Sequence, residues 1–116
     1  MTWRTAVTYD GVSAVVAVTG EIDMASEAAL REVVDSALER EPSPAEITID
    51  LSEVSFLDSA GVRALLVCRG RAADRGARLL VRDPQPTVAS VLQITRVNDL
   101  FGLPVPAEPQ RPRRPR

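Results

Sequence analysis

An α/β fold, with a small mixed β-sheet of four to five strands packed against three or more helices, is predicted for this 116-residue chain by three observations. Residues 3–9 are rich in β-branched and aromatic residues, 12–19 alternate around Val12, Ala14, Val16 and Val18, and Ile47, Ile49 and Leu51 alternate with Thr48 and Asp50, all with the character of strands. Between and after them, apolar residues recur at helical spacing. The resulting order is strand, strand, helix, strand, helix, strand, helix, so parallel β-α-β units must sit in the sheet.

The elements follow in order. Trp3–Tyr9 and Val12–Thr19 form two strands, the second alternating around Val12, Ala14, Val16 and Val18, with Asp10-Gly11 as the hairpin turn between them. Leu30, Val33, Val34, Ala37 and Leu38 make the stripe of a first helix. Asp23 or Ser26 can cap its start, and Pro42 and Pro44 end it after Arg40. Ile47, Ile49 and Leu51 define a third strand, and Val54, Phe56 and Leu57 carry the apolar signal in a short descent to Asp58. Ser59–Ala73, with Val62, Leu65 and Leu66 a turn apart, reads as a second helix. Ala77–Asp83 is a further strand, and Pro86 opens a third helix with the stripe Val88, Val91, Leu92 and Thr95, broken at Asn98-Asp99. Leu103-Pro-Val suits a last edge strand. A single domain is expected over residues 1–105, with the Pro/Arg-rich 106–116 as a disordered tail.

Composition removes most catalytic chemistries. The chain has no His, all 14 basic residues are Arg, and Cys68 is the sole cysteine. A Ser-His or Cys-His nucleophile pair is therefore impossible, and a Walker lysine, a Schiff-base amine and a structural zinc set are missing. With 3% aromatic residues there is little to wall a substrate pocket, so no enzyme activity and no cofactor or metal are expected. Net charge of −2 gives no field for gathering nucleic acid. The start Met-Thr-Trp-Arg has no apolar leader and no run approaches membrane-spanning length, so a cytoplasmic protein without membrane insertion is expected.

One segment carries chemistry: Phe56-Leu57-Asp58-Ser59-Ala60-Gly61, where a strand ends and a helix begins. Ser59 sits at or beside the N-cap, where its oxygen can bond a free N–H and the first turn favours anions. A phosphate on Ser59 would be tolerated there, small Ala60 and Gly61 leave the hydroxyl approachable, and Asp58 would repel the added charge. The plainer account has Ser59 cap a helix, Asp58 end a strand and Gly61 permit close packing. Helix two is apolar on nearly every side, with Arg63 marking its wet face, which also fits a partner interface.

The stretch Ile47–Leu66, preceded by Val18-Thr-Gly-Glu-Ile-Asp23, resembles the STAS domain of bacterial anti-sigma factor antagonists over roughly residues 5–105. The specific motifs are Gly20-Glu21-Ile22-Asp23 and Asp58-Ser59-Ala60-Gly61. The resemblance implies a partner switch. The unphosphorylated protein binds an anti-sigma factor serine kinase and frees a sigma factor, phosphorylation of Ser59 releases it, and a serine phosphatase acting on Ser59 resets it. Ala60 stands where the family often has a second hydroxyl, which leaves Ser59 as the acceptor. Asp23, Asp58, Ala60, Gly61 and Arg63 are the expected partner-binding residues, though Asp23 is equally suited to capping the first helix. A weak homodimer belongs to the same expectation. The alternatives are a non-phosphorylated STAS scaffold in a stress-signalling complex or lipid transporter, and an anion or nucleotide sensor at the start of helix two, which lacks a glycine-rich phosphate loop.

Overall fold

The computed structural model describes residues 3–104. Strands β1 (Arg4–Asp10) and β2 (Ser13–Ile22) form an antiparallel hairpin. The turn sits one residue later than the Asp10-Gly11 expectation. Gly11 and Val12 are its central pair, with Gly11 at φ +60°, the left-handed value that the first position of a tight hairpin turn requires. Val12, expected to begin the alternating run, is thereby 61% exposed, and the buried series starts at Ala14 and continues through Val16, Val18 and Ile22.

β3 (Glu46–Leu57) and β4 (Arg78–Arg82) extend the sheet in parallel, giving the order β1-β2-β3-β4. The expected strand and descent are one twelve-residue strand. Two register shifts against β2, between Ala17 and Thr19 and between Gly20 and Glu21, each place an extra residue on β3. Burial past Leu51 therefore recurs at Val54 and Leu57, and Phe56 turns outward, 44% exposed. Gly20, at φ +121°, occupies the second shift.

Helices α1 (Glu27–Leu38), α2 (Ser59–Asp74) and α3 (Pro86–Ile94) bury Leu30, Val34, Ala37 and Leu38, then Val62, Ala64, Leu65, Cys68 and Ala72, then Val88 and Leu92. α1 stops two residues before the expected Arg40, because the Arg40 N–H turns back to the Ala37 carbonyl and the Ser43 hydroxyl donates to the Leu38 carbonyl. α3 ends at Ile94, before the expected break at Asn98-Asp99, with Arg96 in the left-handed region at φ +58°, and Asp99–Phe101 then forms a 3-10 turn that seats Phe101 fully in the core. Thr95, expected on the apolar stripe, is exposed, and its hydroxyl donates to the Val91 carbonyl. Leu103 and Pro104 are not in a strand. Val105 and the expected tail 106–116 lie outside the described residues, as does the boundary between domain and tail.

Arg71 on α2 binds Asp35 on α1 through two hydrogen bonds of 2.6 and 2.7 Å. The Arg71 hydrogen bond holds the Asp35 carboxyl below its ordinary value of 3.8, partly opposed by burial. A lowered folded-state value stabilises above the unfolded value and is lost as pH falls through the folded one. Wild-type protein is therefore expected to have a higher urea midpoint than Asp35→Asn at about pH 6, with the gap closing as pH drops below the ordinary carboxyl range.

Candidate functional site

The sequence Asp58-Ser59-Ala60-Gly61 folds into the first turn of α2 because Asp58, in extended backbone (φ −115°, ψ −171°), stops β3 and caps the helix. Its Oδ1 accepts from the Gly61 N–H at 2.9 Å, and its carbonyl accepts from the Val62 N–H. Asp58, rather than Ser59, is thus the N-cap, and Ser59 is the first helical residue. The expected cap bond from Ser59 is consequently absent. The Ser59 side chain is exposed, and among the described residues its hydroxyl has no hydrogen-bond partner. Removing the cap by Asp58→Ala should cost about 1 kcal/mol, read as a lowered denaturant midpoint with unchanged slope.

Gly61 is buried, and its position explains its identity. A Cβ there would lie 2.1 Å from the Ile22 carbonyl oxygen and 2.5 Å from a Leu57 methyl. Gly61 lets α2 sit directly on the ends of β2 and β3, the close packing that the plainer account of this residue expects. That contact brings the two motifs together, since Ile22 precedes Asp23 and Ile22 pairs with Leu57 in the sheet.

Asp23 organises the lead-in to α1 without capping its helical N–H groups. Its Oδ1 accepts from the N–H groups of Ala25 (3.0 Å) and Ser26 (3.2 Å), while the Ser26 hydroxyl accepts from the Asp23 N–H and donates to the Glu21 carbonyl at 2.7 Å. Ser26 is the N-cap residue of α1, yet its side chain makes no cap bond. The Asp23 carboxylate remains partly exposed, as do Asp58 and Ala60.

Arg63 lies one turn beyond Ser59 and is exposed on the same face of α2, followed by Val67 at 36% exposure. The rest of α2's all-round apolar surface, read in the sequence as a potential interface, is consumed within the fold, where α2 packs on α1 and on the sheet. Cys68 is 1% exposed, and burial pushes its thiol up to about 12, which disfavours the thiolate and fits a packed apolar residue. Met24 (78% exposed), Ile94 (79%) and Leu100 (40%) are exposed apolar residues that the sequence did not single out, whereas Phe56, read there as part of the apolar run, turns outward.

Among the described residues no group of three or more carboxylates or thiols is placed to hold a metal ion, and no helix is long and apolar enough to cross a membrane.

A family model described as Mlab, STAS domain, matches residues 5–104. Among solved structures, an anti-sigma factor antagonist from Mycobacterium paratuberculosis is similar at 28% identity and TM-score 0.72, over 88% of this chain and 85% of that one. The unphosphorylated form of SpoIIAA, a Bacillus cell fate determinant, matches at 20% identity and TM-score 0.69, over 84% of each chain. A sulfate transporter family protein from Wolinella succinogenes matches at 18% identity and TM-score 0.68, over 82% of this chain and 75% of that one, a likeness of fold alone. With the family model spanning nearly all the described residues and the four-stranded mixed sheet carrying three helices, this chain belongs to the STAS domain family and shares the fold of anti-sigma factor antagonists.

Proposed function

We propose that this protein is an anti-sigma factor antagonist whose binding is switched by phosphorylation of Ser59. The observation that carries the reading is the exposed Ser59 hydroxyl, free of hydrogen bonds within the described residues, at the first position of α2. A kinase needs a hydroxyl that it can reach and reorient without dismantling the host, and this one meets both conditions. The unphosphorylated surface is nearly neutral around Ser59, with Ala60 small, Phe56 and Val67 apolar, and Arg63 opposed by Asp58. Such a surface suits a protein partner. Phosphate adds roughly −1.5 to −2 charges beside Asp58, which expels an apolar or acidic partner. The host tolerates the charge because the N–H groups of a first helical turn point outward and favour anions. The M. paratuberculosis antagonist, at 28% identity, supports the same reading.

On this reading the partners are an anti-sigma factor serine kinase and a serine phosphatase acting on Ser59, in the cytoplasm. Incubation with ATP and a serine kinase of the anti-sigma class should place one phosphate on the chain, mapped by mass spectrometry to Ser59. Phosphorylated protein should bind that kinase at least tenfold more weakly than unphosphorylated protein or Ser59→Ala. Absence of label at Ser59, together with equal affinity of Ser59→Ala and Ser59→Asp, would falsify the switch. A second reading, a constitutive scaffold subunit, is favoured by the Mlab description of the matching family and by the transporter-associated relative. It predicts co-purification with membrane transport proteins, unaffected by Ser59→Asp.

A further inference from the structure

β1 carries the core face of the sheet past the helices that cover it. Thr5, Val7 and Tyr9 pair with Val18, Val16 and Ala14, so their side chains share the face on which those three residues of β2 are buried. Among the described residues β1 packs mainly on β2. Thr5 and Tyr9 are consequently exposed and Val7 only half-buried, with the Arg40 guanidinium lying over the Tyr9 ring at 3.6 Å. The outer edge of β1, with its row of N–H and C=O groups, has no partner strand among the described residues.

The two edges of the sheet are built differently. Edge strands are ordinarily kept from pairing by charge, proline, a bulge or a covering segment. β4 is five residues long with an arginine at each end, and Gly102 sits against its Leu80. Antiparallel self-pairing of β4 about Leu80 would set Arg78 opposite Arg82 of the second copy, a repulsive pair. β1 has none of these devices: its seven residues run in unbroken register with β2, without proline, and are uncharged from Thr5 to Tyr9. Its charges stand at its two ends and are opposite in sign. Antiparallel pairing of two β1 strands about Val7 overlaps all seven residues and brings Arg4 of each copy opposite Asp10 of the other. The same register sets each Tyr9 against a Thr5, a favourable aromatic and β-branched pair. Neither Arg4 nor Asp10 has an ion-pair partner among the described residues.

We propose that β1 is a self-complementary edge through which two copies of this chain join, their four-stranded sheets becoming one continuous sheet centred on Val7. Val7 meets Val7 of the second copy on one face, so the two-fold axis stands perpendicular to the sheet. The helices of both copies then lie on the same side, and Thr5, Val7 and Tyr9 of each copy form one strip between them. A seven-residue strand pair is small beside the roughly 800 Å² per partner of a standard interface, so the association is weak and concentration-dependent.

Sedimentation equilibrium of the full chain at low salt, from micromolar to millimolar concentration, should show wild type passing from monomer to dimer. Arg4→Asp and Asp10→Arg each set like charges opposite one another at both ends of the pair, and each should weaken self-association by about fivefold or more. An equimolar mixture of the two variants restores both ion pairs and should associate as strongly as wild type. The double variant Arg4→Asp/Asp10→Arg should do so alone, which separates loss of the contact from loss of the fold. Wild type that stays monomeric throughout overturns the proposal, as do single variants that associate like wild type. Failure of both the mixture and the double variant to regain association also overturns it, since the register would then be wrong. Neither the surface nor the measurement involves Ser59 or a kinase, so the result stands apart from the fate of the phosphorylation reading.

Discussion

Gly61→Ala is expected to destabilise the protein by about 3 kcal/mol, a fall in melting temperature of roughly 15 °C for a domain of this size. The introduced Cβ meets the Ile22 carbonyl oxygen at 2.1 Å, and a backbone atom held in a sheet cannot step aside as a side-chain end can. Helix propensity works in the opposite direction, favouring alanine over glycine by about 1 kcal/mol, and it is outweighed. The same substitution at Gly70 supplies the control. Gly70 lies on the same helix, is exposed, and has nothing within 4 Å of an added Cβ. Gly70→Ala should therefore stabilise by up to about 1 kcal/mol. Thermal melts of the two variants should move in opposite directions, and a neutral Gly61→Ala would show that α2 does not rest on the end of β2 as described.

Phe101→Ala should cost about 4 kcal/mol, within the usual range for emptying a fully buried aromatic site. Phe101 is 0% exposed and heads the largest buried side chains, although it arises from a three-residue 3-10 turn and not from a long amphipathic element. Its N–H donates to the Val97 and Asn98 carbonyls, and Gly102, at φ +74°, turns the chain back towards Leu80 immediately after it. The surrounding turn is short and pinned, so it collapses poorly around the vacated volume. Urea unfolding should show a lowered midpoint with an unchanged slope. A loss below about 1 kcal/mol would mean that the 99–101 turn is not part of the cooperative core.

The strands and helices were readable because their apolar residues repeat with periods of two and 3.6, and the candidate segment was readable because Asp-Ser-Ala-Gly stands at a strand-to-helix junction. Phe56 was misread as part of the apolar run because two bulges in β3 reset which residues face the core, and bulges depend on the partner strand's register. The division of labour between Asp58 and Ser59 was likewise out of reach. Either residue is a good cap by type, and only the backbone geometry, with Asp58 extended and Ser59 already helical, assigns the bond to Asp58 and leaves the serine hydroxyl without a partner among the described residues.

Local chemistry alone determined the α/β order, the placement of the serine at a helix start, and the absence of histidine and lysine chemistry, since each depends on residue type and spacing along the chain. Tertiary structure decided which of those residues meet solvent. The closeness of Gly61 to the Ile22 carbonyl, the burial of Phe101 and the outward turn of Phe56 all arise from contacts between segments far apart in sequence. Periodicity along one segment carries no information about the distance to another, and it is that distance which packs Gly61 inside while leaving the neighbouring hydroxyl of Ser59 in reach.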